Sequence, residues 1–329
     1  MSFWIVDRKL KMKIYDTILE TIGNTPIVRI NKVVDKRNSF YGKLEFFNPG
    51  GSVKDRMAKH ILEKAKKSGS FRDSIVENSS GNTGASIAMI SAVKGYSCLI
   101  TIPDKMSEEK VNLMKAYGSE VLVTRTDVAH DSPESYYSVA SRVARERGAF
   151  YPDQYNNLDN IEAHYLSTGP EIWEQMDGQI DVFVAGVGTG GTISGVGKFL
   201  KEKNSKVKII GVDPMGSVFY DYFKKGKVPE PHVYKVEGIG EDYLVKAVDF
   251  SVIDDIVQVD DRESFLMTRK LAREEGIFAG GSSGAAMVAA MKVAEKLDGM
   301  NIVVLFPDSG YRYLSKIYND NWMRDNGFI

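Results

Sequence analysis

The chain has 329 residues, 43% apolar and 26% charged, with a formal net charge of −1. That length allows two domains or one large one with ample core, and the even charge balance excludes the basic excess of a nucleic-acid binder. The longest apolar runs, such as NIVVLFP, fall far short of a membrane span, and MSFWIVDRKLKMK carries too short an apolar run for a signal peptide.

The patterned part begins at Met12, so residues 1–11 read as a start-site extension. The stretch FFNPGGSVKDR (46–56) opens the first predicted helix, 52–69, with Ser52 as N-cap and Asp55 completing a capping-box-like pair. Lys54 then falls in the first turn, at the positive end of the helix dipole, where its ammonium form is disfavoured. SIVEN (74–78) reads as a strand, and the glycine loop in ENSSGNTGASIAM (77–89) opens a helix over 84–95. Strands SCLITIP (97–103) and SEVLVT (119–124) flank a helix over 107–118. The single cysteine, Cys98, reads as a small buried hydrophobe; one cysteine forms no internal disulfide and fits a reducing cytosol. In the second half, DVFVAGV (181–187) leads through the loop of AGVGTGGTISG (185–195) into a helix over 191–203. KIIGVDP (208–214) is the next strand, and 218–250, with Pro229 and Pro231, reads as a long surface excursion. DIVQV (255–259) precedes a helix over 261–276. The loop in FAGGSSGAAM (278–287) opens a helix over 284–299, and NIVVLFP (301–307) is the last strand. Apolar strands alternating with helices imply βα units and a mostly parallel sheet covered on both faces, arranged as two α/β lobes. Such lobes bind ligands at the carboxyl ends of their strands.

Three glycine loops that each open a helix form a repeated pattern. Helix starts offer free N–H groups to phosphates and carboxylates, and glycines let the backbone close on the anion. Taken alone, the second loop fits G-x-G-x-x-G through Gly186, Gly188 and Gly191. Asp213 closes the next strand, where a dinucleotide fold places its ribose-binding acid, so an NAD-dependent dehydrogenase is one reading. That reading leaves Lys54 and the other two loops without roles. A lysine disfavoured as ammonium serves as an amine nucleophile or Schiff-base former. Beside several anion sites, it points to a phosphorylated aldehyde cofactor, pyridoxal phosphate, and an amino-acid carboxylate. The four histidines, His60, His130, His164 and His232, lie far apart without metal-ligand spacing, so no metal site is read.

IGNTPIVRIN, NPGGSVKDR, SSGNTG, GVGTGGT and GGSSG, in this order, resemble the fold type II (β-family, tryptophan synthase β-like) pyridoxal phosphate enzymes, from about Ile14 to the C-terminus. Within that family DKMSEEKVNLMKAYGSEV, PDQYNN, GVDPMGSV, VEGIGEDY and FPDSGYRYLSKIYNDNW look more like the cystathionine β-synthase catalytic core than like cysteine synthase. The resemblance implies a two-lobed parallel-sheet α/β fold. Residues 50–157 would form a smaller, mobile lobe with the substrate-carboxylate loop, and 13–49 plus 158–329 a larger lobe holding the cofactor phosphate.

The resemblance also implies roles. Lys54 would form the Schiff base with pyridoxal phosphate and shuttle protons. Gly188, Thr189, Gly190, Gly191 and Thr192 would cradle the phosphate, Asn82 would bond the ring hydroxyl and Ser282 would meet the pyridine nitrogen. Ser79, Ser80, Gly81, Asn82, Thr83 and Gln154 would hold the substrate carboxylate, with Gly238 and Glu241 near the second substrate. The implied reaction is β-replacement on L-serine by homocysteine, through an aminoacrylate, to give L-cystathionine. Cysteine synthase chemistry on O-acetylserine and sulfide, release of hydrogen sulfide from cysteine, and a non-catalytic binding role stand as alternatives. The family also implies a homodimer, and the single cysteine with no visible signal peptide implies a cytoplasmic location. Three departures stand out: Ser79 occupies a place usually held by Thr, Glu241 one usually held by Tyr, and the haem ligands of animal forms are absent, so no haem is expected. Glu241 either selects a cationic or polar second substrate or faces solvent.

Overall fold

The computed structural model describes residues 13–329, except 72, 105, 126, 130 and 131. His130 and the start-site reading of residues 1–11 lie outside the described residues. The strands are β1 (Ile27–Ile30), β2 (Ser39–Leu44), β3 (Ser74–Asn78), β4 (Ser97–Pro103), β5 (Glu120–Thr124), β6 (Val182–Gly186), β7 (Lys208–Pro214), β8 (Asp255–Val259) and β9 (Asn301–Phe306). The helices are α1 (Lys54–Ser68), α2 (Asn82–Lys94), α3 (Glu108–Ala116), α4 (Tyr136–Arg147), α5 (Asp159–Leu166), α6 (Thr168–Gln175), α7 (Gly191–Lys203), α8 (Phe219–Lys225), α9 (Asp261–Lys270), α10 (Gly281–Ala294) and α11 (Asp320–Asp325).

Two sheets organise these elements. The smaller, β3-β4-β5, is wholly parallel; the larger runs β1-β2-β9-β6-β7-β8 and is parallel except where β1 meets β2. The central strands of the larger sheet, β6 and β9, are apolar because helices cover both faces. Val182 and Val184 of β6 pack with Ile302 and Val304 against the α9–α10 layer, while Phe183 and Ala185 face Ile193 and Val196 of α7. In the smaller sheet Ile75, Ile100 and Ile102 pack with α2 and α3, and Val76 and Leu99 pack under Ala140 and Ala144 of α4.

The seven predicted strands are all present, each within a residue or so of its expected bounds. The strands β1 and β2 carry no apolar run that announces them: β1 exposes Val28 and Arg29 in mid-strand, and β2 buries the charged Lys43. The helices α5 and α6 are eight residues each, broken at Ser167 (φ −126°, ψ −65°), too short for a periodic signal. Two of the glycine loops are themselves first helical turns, since α2 starts at Asn82 and α10 at Gly281 rather than at 84 and 284. The predicted helix over 261–276 changes pitch to a π-helical turn over Leu271–Glu275 before Gly276 ends it (φ 71°).

Two expectations are corrected. The predicted capping box at α1 does not form. The helix starts at Lys54, the Ser52 hydroxyl accepts the Lys54 N–H (3.3 Å), and the Asp55 carboxylate turns instead to the Gly50 N–H and the Ser86 hydroxyl. The surface excursion expected over 218–250 holds only in part, for residues 226–235, where Val228 and Val233 are exposed. From Val236 the chain folds inward and buries Val236, Ile239, Val245, Ala247 and Val248. Gly238 and Gly240, both at positive φ, let it turn, and the Gly240 N–H bonds the Val187 carbonyl (2.7 Å).

The Asp213 carboxylate accepts the Tyr220 N–H (2.8 Å) at the start of α8 and is wholly buried, with Oδ1 lacking a partner among the described residues. Burial raises its carboxyl to about 7. A raised folded-state value makes its contribution to stability fully present below its unfolded value of 3.8 and lost as pH rises through about 7. Asp213→Asn keeps an acceptor and removes the charge. Its Tm should match that of the native chain near pH 4, exceed it by an amount that grows up to about pH 7, and level off above, as read by thermal melts across pH.

Candidate active site

The short turn before α1 is built on close approach. A Cβ on Gly50 would lie 2.3 Å from Asp55 Oδ1, and Gly51 holds φ at 76°. Glycines here let the Asp55 carboxylate take the Gly50 N–H at 2.6 Å and the Ser86 hydroxyl at 2.5 Å. Burial holds that carboxyl up at about 6.

Arg56 fixes the same turn of helix from the other side. Its guanidinium is buried and bonds both oxygens of Glu45 (2.7 and 2.9 Å) and both of Glu171 (2.7 Å each). The buried Lys43 ammonium reaches Glu171 at 2.9 Å, Gln175 at 2.8 Å and the Thr25 carbonyl at 2.8 Å. Two cations and two carboxylates thus neutralise one another. The Arg56 charge and hydrogen bonds outweigh burial and hold Glu171 down at about 2. None of Lys43, Glu45 and Glu171 figured in the sequence reading. The signal was there in principle, as charged residues inside segments that must be buried, but their partnership is visible only in three dimensions.

Held from both sides, Lys54 points into a cavity of about 850 Å³ between the two sheets. Burial lowers its ammonium below the ordinary lysine range, with Asp308 and Glu241 partly opposing that shift. Ser80, Asn82, Thr83, Gln154, Thr189, Gly238, Glu241 and Ser282 line the same cavity. Residues from the starts of α2, α7 and α10 therefore meet at one lysine, so the three glycine loops serve one site. The remaining predicted residues shape or carry the loops that line the cavity. The Ser79 hydroxyl accepts the Gly81 and Gly84 N–H groups (3.0 and 2.8 Å) and shapes the loop. Gly81, at φ 140°, lets the Lys110 side chain pass where a Cβ would stand. Gly188, Gly190, Gly191 and Thr192 form the turn that carries Thr189. A Cβ on Gly190 would meet Val248 Cγ2 at 2.3 Å, and one on Gly191 would meet Asn160 Oδ1 at 2.0 Å.

Within the wall, the Thr83 hydroxyl donates to Gln154 Oε1 (2.5 Å) and the Gln154 amide donates to the Asn78 carbonyl (2.9 Å). The Asn82 amide donates to Asp308 (2.8 Å), and Arg312 donates to the Asn82 oxygen. The 231–243 segment forms another wall. Its Glu237 carboxylate takes Lys110 of α3 and Lys316 (2.7 Å), tying the smaller sheet's helix to the C-terminal segment. Glu241 accepts a bond from the Tyr137 hydroxyl (3.4 Å) beside Tyr136, Tyr155 and Tyr243. Burial first, and the Glu241 charge second, push the Tyr137 and Tyr155 hydroxyls well above the ordinary range. Glu241 thus faces the cavity rather than open solvent. Lys110, Glu237 and this tyrosine group were not singled out in the sequence.

Comparison with known proteins places this geometry. The family model for pyridoxal-phosphate dependent enzymes matches residues 18–308. The chain belongs to that family. Cystathionine beta-synthase of Dictyostelium discoideum is 44% identical over 324 residues, spanning 97% of this chain and 65% of that protein. Cystathionine beta-synthases of Mus musculus (45% identical, 96% and 58%) and Saccharomyces cerevisiae (44%, 94% and 64%) are similar to the same extent. The chain spans about 58–65% of the length of these relatives. Among solved structures it is similar to O-ureido-L-serine synthase, with a TM-score of 0.87 and 34% identity over 95% of this chain and 100% of that one. It is similar too to a hydrogen sulfide-producing enzyme from Fusobacterium nucleatum, with a TM-score of 0.85 and 37% identity over 92% and 99%. The α/β fold expected of pyridoxal-phosphate enzymes is the fold observed. The dehydrogenase reading falls: Asp213 caps α8 and does not line the cavity. Among the described residues no group of His, Cys, Asp and Glu is placed to hold a metal ion, and no helix is long and apolar enough to cross a membrane.

The residues present fit the family's cofactor. The cavity has room for a ligand of that size, its lysine is biased toward the free amine, and α7 opens on glycines and threonines with no carboxylate among them.

Breaking the buried charge group has an asymmetric cost. Arg56→Met leaves Glu45 buried without its cation and should destabilise the protein by ~3–5 kcal/mol, whereas adding Glu45→Gln should recover much of the loss. Chemical denaturation of the single and double variants reads both values.

Proposed function

We propose that the chain catalyses β-replacement on L-serine, with homocysteine as the thiol, to form L-cystathionine and water. The observation that carries this reading is the convergence of three helix starts on Lys54 in one cavity. Likeness to cystathionine beta-synthases over nearly the whole chain supports the choice of substrates. When bound, pyridoxal phosphate supplies a carbonyl for condensation with amines and a ring that stabilises negative charge at the substrate Cα.

The chain's own residues do the rest. Loop 188–192 holds the cofactor phosphate, Asn82 and Ser282 hold its ring, and the 79–83 loop with Gln154 holds the substrate carboxylate. Lys54 anchors the cofactor and then acts as base, because burial keeps its amine available. Its Nζ takes the Cα proton and passes it to the departing Cβ hydroxyl, which leaves as water. Nζ then takes the thiol proton as sulfur bonds Cβ, and returns it to Cα. The smaller lobe, residues 50–157, closes over the substrate, with Glu237 holding Lys110 in the closed arrangement. The enzyme works as a cytoplasmic homodimer without haem.

A second reading is hydrogen sulfide release from cysteine, and Glu241 suits an amino-bearing thiol in either reading. Its carboxylate stands on the cavity wall among tyrosines, suited to an amino group on the incoming thiol. The hydrogen sulfide-producing relative is what supports the second reading.

Three measurements test these assignments. Purified protein should be yellow, and Lys54→Ala should lose the characteristic absorbance while keeping its fold; a colourless protein that binds NAD overturns the proposal. Serine, O-acetylserine and cysteine, each offered to homocysteine and to sulfide, should give cystathionine from serine and homocysteine as the main product by mass spectrometry. If O-acetylserine with sulfide is faster by orders of magnitude, the cystathionine assignment fails. Glu241→Gln should raise the KM for the thiol substrate severalfold while leaving the KM for serine nearly unchanged.

A further inference from the structure

The helix α5 does not line the cavity, yet two of its side chains reach the loop at the start of α7. Asn160 donates its amide to Thr189 Oγ1 (3.0 Å) and to the Gln154 carbonyl (2.9 Å). His164, four residues on, is wholly buried with each ring nitrogen against a threonine hydroxyl, Nδ1 to Thr168 at 2.8 Å and Nε2 to Thr192 at 3.2 Å. Small residues on α7 make this approach possible. A Cβ on Gly195 would lie 2.3 Å from the Ile161 carbonyl oxygen and 2.8 Å from His164 Cβ. Burial foremost, with the Lys54 and Arg56 charges behind it, keeps the imidazole neutral.

A neutral imidazole has one N–H and one acceptor, and a threonine hydroxyl has one hydrogen to give. Two arrangements are open. With the proton on Nδ1, Thr192 must donate to Nε2 and would turn lone pairs toward an anion in the loop. With the proton on Nε2, the ring donates to Thr192 Oγ1, and the Thr192 hydrogen is left to point at the anion. The Thr168 hydroxyl completes the second arrangement by donating to Nδ1. Asn160 acts on Thr189 in the same sense, because an amide N–H can only donate.

We propose that His164 is a positioning residue for the cofactor phosphate: as the Nε2–H tautomer, with the Thr168 hydroxyl donating to Nδ1, it sets the Thr192 hydroxyl as a donor, in parallel with Asn160 and Thr189. The inference rests on the reading of loop 188–192 as the phosphate site. A hydrogen bond to a charged group carries enough free energy for its loss to weaken binding about tenfold or more.

The test strips the full chain of cofactor and titrates it with pyridoxal phosphate and, separately, with pyridoxal, which lacks the phosphate. Binding is followed by absorbance and protein fluorescence. Thr192→Val should weaken pyridoxal phosphate binding about tenfold and leave pyridoxal binding unchanged. His164→Leu should do the same, and the Thr192→Val, His164→Leu pair should be no worse than Thr192→Val alone. His164→Gln, whose amide can reach Thr192, should restore affinity to within about threefold, and His164→Asn, which reaches only the Thr168 side, should not. If Thr189→Val and Thr192→Val leave the preference for the phosphorylated form intact, the phosphate-site reading falls. If Thr192→Val lowers that preference but His164→Leu does not, or lowers both affinities alike, the role of His164 falls alone. Should His164→Leu fail to fold, the Gln and Asn variants decide: equal affinity in the two overturns the proposal.

Discussion

The site depends on one buried ion group. Arg56 lies two residues beyond Lys54, and its forked guanidinium spans Glu45, just after β2, and Glu171, in α6. Those carboxylates belong to the larger sheet's side of the molecule, while α1 packs on α2 of the smaller. The bidentate geometry sets both the position and the rotation of α1, because a planar fork bonded on two edges leaves little freedom to turn. Rotation matters here: Lys54 is the first residue of the helix, and a small turn would swing its amine out of the cavity. Charge does the work of alignment, while the desolvation it costs is offset within the group by Lys43 and its bonds to Glu171 and Gln175.

Around that fixed lysine the electrostatics are graded. Deep in the site, burial favours the neutral amine, and helix starts supply partial positive charge without a mobile cation. Toward the 231–243 segment the cavity turns acidic through Glu237 and Glu241. Glu237 is spoken for by two lysines from opposite sides, which keeps its carboxyl below the ordinary range despite burial. Glu241 sits instead among phenols that its own charge helps to keep protonated. One end of the cavity is thus suited to phosphate and carboxylate, the other to a group that donates hydrogen bonds.

Much of this was legible in the sequence, for reasons that differ by element. The strands β3, β4, β6, β7 and β9 are covered on both faces and read as short apolar runs; β5 and β8, more exposed, were marked by their β-branched residues. The glycine loops were legible because backbone approach excludes side chains, as Gly190 against Val248 and Gly191 against Asn160 make plain. The strands β1 and β2 were not legible, because β1 lies at the sheet edge and β2 buries a lysine that pattern reading assigns to the surface. The inward course of 236–248 was hidden for a similar reason: the prolines and charges before it suggest exposure, and only the positive φ of Gly238 and Gly240 reveals a chain folding back on the core. Within the site, Lys54 and its loops stood out by residue type and spacing. The residues behind them, Arg56, Asn160 and His164, bond partners in other elements, Glu171, Thr189 and Thr192, and no local pattern encodes that.

The pairing of β2 with β9 has a consequence for how the molecule comes to exist. Ser39 lies opposite Asn301 and Leu44 opposite Phe306, so neighbours in one sheet are separated by most of the chain. The smaller sheet, by contrast, draws its three strands from a single stretch, 74–124. During synthesis that stretch can pair as it emerges, whereas β2, which can meet β1 at once, must wait for nearly everything else before its other edge is filled. Until β9 arrives, β2 and β6 each present an open edge where it will lie. The last strand laid down is an interior one, and its insertion joins the segment leading into α1 to the layer that carries α10. The lysine's setting is therefore among the last features of the protein to be completed, and a nascent chain without β9 has no finished site in which to hold a reactive amine.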